Sequence, residues 1–217
     1  MKHLTGKSGS RRGFTLVELL VVIVIIGILA SLVVGLSGTA GRKMRESRTR
    51  VELAAIGTAI ESYKAKFGHY PPDNPNDPAL NSLYYELTGC LYSPTRKTFR
   101  DPKVGTVMKV QAIKEHFGVE GFINTARTER ELKKFYEPTA KTVRHISEEH
   151  GDSDAGEGHV KHHSDEVHVL CAPVPWPLGR DDHPVRHHGK VAKGINPWRY
   201  VTGKRVVHNI GKYDLWA

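Results

Sequence analysis

The stretch Arg12-Gly13-Phe14-Thr15-Leu16-Val17-Glu18, continued from Leu19 by LLVVIVIIGILASLVVGL, decides how the rest of this 217-residue chain is read. From Leu19 to Gly41 no residue carries a charge. Coiled as a helix at about 1.5 Å per residue, a run of that length crosses a hydrocarbon layer of about 30 Å. The overall composition, 39% apolar and 25% charged, is that of a folded soluble protein. The average therefore conceals a membrane segment, and that segment argues against a purely cytosolic soluble enzyme. The length suits one globular unit with an appendage rather than several cores.

Ahead of the run stands MKHLTGKSGSRRG, a basic leader with Lys2, Lys7, Arg11, Arg12 and no acid. A secretory signal peptide also pairs a positive region with an apolar stretch, but its cleavage site follows the stretch. Here Gly13 precedes it, while Ser31 and Gly35 keep the signal-peptide and plain-anchor readings open. Glu18 argues against both. A carboxylate near the start of an apolar helix costs on the order of a few kcal/mol in lipid unless it has a partner, so it marks a functional site by default.

Arg12 to Glu18 followed by an apolar helix resembles the cleavage and methylation motif of type IV pilins and of the pseudopilins of type II secretion. The resemblance implies that a membrane-embedded prepilin peptidase cuts between Gly13 and Phe14 and methylates the new amine. Glu18, one helical turn beyond Phe14, then supplies the charge that neutralises the amine of a neighbouring subunit. Pairing leaves a far smaller cost than an isolated buried charge, which favours side-by-side assembly of identical helices. Where many family members carry a proline in the second half of the apolar helix this chain has Gly35, with Gly27, Gly38 and Gly41 as further weak helix formers. Basic residues flank the run on both sides, so the positive-inside rule does not decide its orientation. An orientation with the leader in the cytoplasm and the bulk in the periplasm follows from the resemblance.

After the run, Arg42, Lys43, Arg45, Arg48 and Arg50 are suited to lipid headgroups, to acids of adjacent subunits or to a solvated helix face. Leu53, Ile56, Ile60, Tyr63 and Phe67 then recur at spacings of 3 and 4, the stripe of an amphipathic helix. No proline interrupts Phe14 to Phe67, which predicts one long helix stopped by Gly68 and Pro71-Pro72. The phrase from Ile60 to Pro72 is similar to the end of that helix in major, G-type pseudopilins. The expected organisation is a leader at 1–13, a transmembrane helix half at 14–41, an amphipathic half at 42–67 and a pilin-like head at 68–217.

Within the head, helices are expected from Asp77-Pro78 to about Thr88, from Lys109 to Phe117 and from Arg127 to Tyr136, among loops. The polar segment HGDSDAGEGHVKHHSDE reads as a mobile loop. Strand signals gather late: Val167 to Val174, a hairpin of Arg199–Thr202 with Arg205–His208 through Gly203-Lys204, and Tyr213 to Trp216. The fold class is accordingly α+β, a long helix with a small antiparallel sheet. Tyr213-Asp214-Leu215 resembles the stretch that precedes an acidic calcium loop in the family. Such a loop does not follow here, and calcium is not carried over.

Cys90 and Cys171 both follow the apolar run, so either a disulfide in an oxidising compartment or two partly buried thiols fits. Histidines crowd between His145 and His188, and the spacing of His159, His162 and His163 could bring two nitrogens to one zinc, nickel or copper ion. The same composition describes a solvated loop, and no metal, cofactor or catalytic residue is assigned. Nucleophile elbow, phosphate-binding loop and His-Glu-x-x-His patterns are missing. The net charge of +9 is dispersed along the chain, with no sign of a DNA-binding module. The resemblance implies a non-enzymatic subunit that assembles with itself, with a prepilin peptidase, an assembly ATPase and a platform protein as partners. A surface pilin for adhesion or DNA uptake, a membrane-tethered histidine-rich metal-binding domain and an anchored enzyme are the alternatives.

Overall fold

The computed structural model describes residues 14–146, 167–174, 186–187, 190–191 and 195–217, with the side chains of 32–40, 186–187 and 190–191 outside the description. The leader, the polar segment 150–166 and His159, His162 and His163 lie outside the described residues. The chain divides into two compact units, Met1–Glu46 and Ser47–Ala217. Helix α1, Leu16–Phe67, runs through 52 residues as the absence of proline predicts. It ends where Gly68 adopts φ 83° and its N–H bonds Lys64 O at 2.8 Å, a left-handed stop that suits a residue without a side chain.

In the second unit the stripe on α1 becomes core. Ile56, Ile60 and Tyr63 are fully buried, whereas Leu53, at the start of the stripe, keeps 37% exposure. They share one apolar cluster with Leu83, Tyr84 and Leu87 of α2 (Leu83–Thr88), and with Met108, Ile113, Phe117 and Trp198. Helix α2 starts five residues later than Asp77-Pro78 predicts. Asp77 caps only a turn, its Oδ1 accepting from Ala79 N at 2.8 Å, and the Asn81 side chain reaches back to Pro78 O and across to Trp198 O. The bond to Pro78 O occupies a carbonyl that a continuous helix needs for itself.

Four short strands replace the expected loops beyond α2: β1 (Cys90–Ser93), β2 (Thr98–Arg100), β3 (Val107–Lys109) and β4 (Thr125–Ala126). They form a sheet in the order β3-β2-β1-β4, antiparallel except for the parallel β1–β4 pair. Helix α3 (Val110–Phe117) agrees with expectation, and Gly118 closes it at φ 66°. A side chain at Gly118 would meet Pro75 Cδ at 2.7 Å, so both the conformation and the space require glycine.

The helix predicted over Arg127 to Tyr136 does not form. The N–H groups of Phe135 and Tyr136 both donate to Leu87 O, and Asn124 Nδ2 takes Lys133 O, so tertiary partners hold this backbone in an irregular path. Strand β5 (Val143–Ile146) pairs with β6 (Val167–Leu170), and a backbone pair joins β7 (Arg186–His187) to β8 (Lys190–Val191). The last sheet corrects the expected hairpin: β9 (Arg199–Thr202) pairs with β10 (Tyr213–Trp216), not with Arg205–His208. Arg205 is drawn away by Asp73, at 2.6 Å, and by the carbonyls of Asn74 and Pro75, while the amides of Val207 and His208 bind Asp214.

One buried carboxylate ties these pieces together. Glu86, fully buried on α2, accepts from Tyr63 OH at 2.9 Å, Ile123 N at 2.9 Å and Asn124 N at 3.0 Å. Burial pushes its carboxyl above the ordinary value, against the opposing pull of those three donors. The folded chain thus holds the Glu86 proton more tightly than the unfolded chain. This contribution to stability is complete below the ordinary carboxylate value and is lost as pH rises through the raised one. In Glu86→Gln an amide NH2 faces backbone donors, so the substitution destabilises by about 2–4 kcal/mol at neutral pH. Thermal melts of the full chain in mild detergent should show that loss. They should also show that the variant lacks the wild type's decline between acid and neutral pH; equal melting points and equal pH slopes would contradict the assignment.

Candidate processing and assembly site

Thr15 and Glu18 build the start of α1 between them. Glu18 Oε2 accepts from Thr15 N at 2.9 Å and from Thr15 Oγ1 at 2.8 Å, and Glu18 N donates to Thr15 Oγ1 at 3.3 Å. This is a reciprocal capping box, with threonine at the N-cap and glutamate at the third helical position, and it satisfies amides that a helix start leaves without partners. The side-chain bonds converge on Oε2, and a carboxylate has about four acceptor positions, so Glu18 keeps capacity for a donor from outside the chain. The Thr-x-x-Glu spacing ahead of an apolar run is a readable sign of this cap, overlooked when Glu18 is considered only as a charge.

Beyond the cap the helix exposes apolar side chains on every face. Leu16 is 80% exposed, Ile23 59%, Ile26 58% and Leu29 57%, and successive residues between them are similar. A helix apolar all round belongs in the core of a large protein or in a membrane. Twelve aliphatic side chains lie exposed between Leu16 and Leu29. At about −0.5 kcal/mol each they favour insertion by about 6 kcal/mol, against about 3 for one carboxylate. Among the described residues no helix is long and apolar enough to cross a membrane. The apolar run of the sequence continues through residues 32–40, whose side chains lie outside the description.

Of the residues singled out from the sequence, the structure places Phe14, 79% exposed, four residues before Glu18. Gly13, the other side of the expected cut, lies outside the described residues. Cys90, on β1, and Cys171, after β6, are both buried free thiols in this structure. Each is enclosed by core side chains, and desolvation pushes Cys90 well up and Cys171 up to about 12, so both stay protonated and inert. His145 and His168 oppose each other across β5–β6 with ring centroids 6.5 Å apart. Among the described residues no group of three or more His, Cys, Asp or Glu is placed to hold a metal ion.

Asp214 also fails to fit calcium. Its carboxylate accepts from Val207 N, His208 N, Asn209 N and Asn209 Nδ2 at 2.8–3.0 Å, so four protein donors occupy the positions a cation would need. These bonds, led by the one from His208, hold its carboxyl below the ordinary value.

Thr15→Val keeps the shape of the cap residue and removes its hydroxyl. The loss of about 1 kcal/mol of capping should speed amide exchange at Glu18, whose N–H donates to Thr15 Oγ1, by about fivefold in the detergent-solubilised chain. Exchange unchanged from the wild type would show that the capping box does not hold the helix start.

Comparison with known proteins agrees with this geometry. The family model for the prokaryotic N-terminal methylation motif matches residues 9–34. Type II secretion system core protein G of Escherichia coli (strain K12) is 44% identical over 66 residues, covering 30% of this chain and 44% of that protein. The protein of the same name from Aeromonas hydrophila is 37% identical over 90 residues, covering 41% and 58%. Fimbrial protein EcpB of Eikenella corrodens is 35% identical over 96 residues, covering 44% and 60%. The chain thus spans less than half of the length of the E. coli relative, and no solved structure matches. The motif and these identities together make the chain similar to the G-type pseudopilins of type II secretion systems.

Proposed function

We propose that this chain is a prepilin-like structural subunit of a type II secretion pseudopilus. The observation that carries the reading is the helix start: one carboxylate, held in a capping box, at the head of a helix whose apolar side chains face outward on all sides. In this reading a prepilin peptidase cuts between Gly13 and Phe14 and methylates the Phe14 amine. The apolar run then anchors the chain in the inner membrane as a single pass, with the second unit in the periplasm. Glu18 accepts the amine of a neighbouring copy through its remaining acceptor capacity, which offsets the cost of carrying a charge into lipid. An assembly ATPase and a platform protein drive the growth of the filament. The role is structural, with no reaction assigned to any side chain.

A second reading, a surface pilin, draws on the resemblance to fimbrial protein EcpB. It shares the same N-terminal logic and differs in where the filament ends.

Glu18→Gln separates charge pairing from helix capping, because glutamine retains a side-chain acceptor for Thr15 while losing the negative charge. In cells producing the secretion machinery the variant should be cleaved at the wild-type rate. Its yield of sheared, sedimentable filament should fall at least about tenfold, since one uncompensated pairing per subunit costs well over 1.4 kcal/mol. Normal filament yield from Glu18→Gln would overturn the pairing mechanism.

A further inference from the structure

Among the charged side chains of the first unit, those at its end follow directly on the apolar run. Arg42, Lys43 and Arg45 are all exposed, with Glu46 the one acid between Leu19 and Arg50. We propose that Arg42, Lys43 and Arg45 bind the headgroups of anionic phospholipids, an inference that rests on the membrane reading above.

Length places them there. The uncharged stretch from Leu19 to Gly41 has 23 residues. As part of α1 it spans about 34 Å, against a hydrocarbon thickness of about 30 Å, so the first cations after it emerge at headgroup level. Their directions suit a lipid surface. At about 100° per residue, Arg42, Lys43 and Arg45 spread over about 160° of the helix circumference, wider than a single stripe presented to one protein neighbour. A bilayer surrounds an emerging helix and meets charges pointing in all these directions. The chemistry is complementary as well: a guanidinium forks onto phosphate oxygens through two parallel N–H bonds, and a lysine reaches along apolar surface with its ammonium in the polar layer. Met44, 55% exposed between them, supplies an apolar side chain for the acyl boundary. Each cation near an anionic surface strengthens attachment about fivefold. Three of them, weakened by Glu46, give a preference of at least about tenfold.

The test uses the full chain, released from detergent into an equal mixture of two vesicle populations separable by density. One is phosphatidylcholine alone, and in the other a third of the lipid is phosphatidylglycerol. The wild type should favour the anionic vesicles at least about tenfold at low salt, and the preference should shrink as salt screens the charges. The triple variant Arg42→Gln, Lys43→Gln, Arg45→Gln should lose about tenfold of that preference and keep the part owed to the leader cations Lys2, Lys7, Arg11 and Arg12. A control removing three charges elsewhere, Lys66→Gln, Lys97→Gln, Lys134→Gln, should behave as the wild type. Arg48 and Arg50, which begin the second unit, stay native throughout. An undiminished preference in the triple variant, or an equal loss in the control, overturns the proposal. Equal entry of the wild type into both populations overturns the headgroup site while leaving membrane insertion standing. Failure to enter either population overturns the membrane reading and the headgroup site with it. A triple variant with unchanged lipid preference but weakened chain-to-chain cross-linking would assign these cations to a neighbouring copy instead.

Discussion

Apolar surface that the chain does not cover for itself governs how this protein must live. Between Leu16 and Leu29 α1 presents aliphatic side chains on every face, and this stretch belongs to a compact unit with no second element among the described residues. Apolar area left in water is unfavourable by about 25 cal/mol per Å², so such a helix requires lipid or copies of itself. The one charge in the stretch, Glu18, is held by the helix's own first residues rather than left loose. In the proposed assembly, a capped carboxylate adds an acceptor at a fixed place on each copy of the chain. In a filament of identical helices that turns non-directional apolar attraction into a register.

The second unit meets a different demand, the closing of a small core around the amphipathic part of one helix. Tyr63 of α1, Glu86 of α2 and the amides of Ile123 and Asn124 meet at a single buried carboxylate. Asn124 returns two more bonds, to Glu86 O and Lys133 O, and Tyr136 reaches α1 through the carboxylate of Glu52. These contacts join segments far apart in sequence, and they fix a path for residues 123–136 that local preference alone does not choose. Asp214 does the same on a smaller scale, turning the amides of Val207, His208 and Asn209 inward.

Elements with strong local signals can be read from the sequence. The extent of α1, its stop at Gly68, the buried stripe of Ile56, Ile60 and Tyr63, helix α3 and strands β6, β9 and β10 all follow from periodicity, glycine placement or β-branched runs. Differences arise where a tertiary partner overrules a local preference. Arg127 to Tyr136 has helical composition, yet its backbone donors are claimed by Leu87 O. Arg205 to His208 looks like a strand, yet Asp73 and Asp214 take its donors. Strands β2, β3 and β4 are two or three residues long, too short to show an alternation. At the candidate site Glu18 stands out as the one acid in an apolar run, because a carboxylate's cost in lipid is large. That charge draws the eye from its second role as a cap, although the spacing to Thr15 displays it.

The proposed pairing of subunits at Glu18 turns on where the mature chain begins. Its most direct test is the N-terminal residue and the intact mass of the protein purified from membranes. A chain beginning at Phe14, heavier than the unmodified sequence by one methyl group, is the result expected of a subunit whose amine is made to meet a neighbour's Glu18. A chain that keeps Met1, or one cut after the apolar run, would contradict it and leave Glu18 as the cap of an ordinary anchor or signal helix.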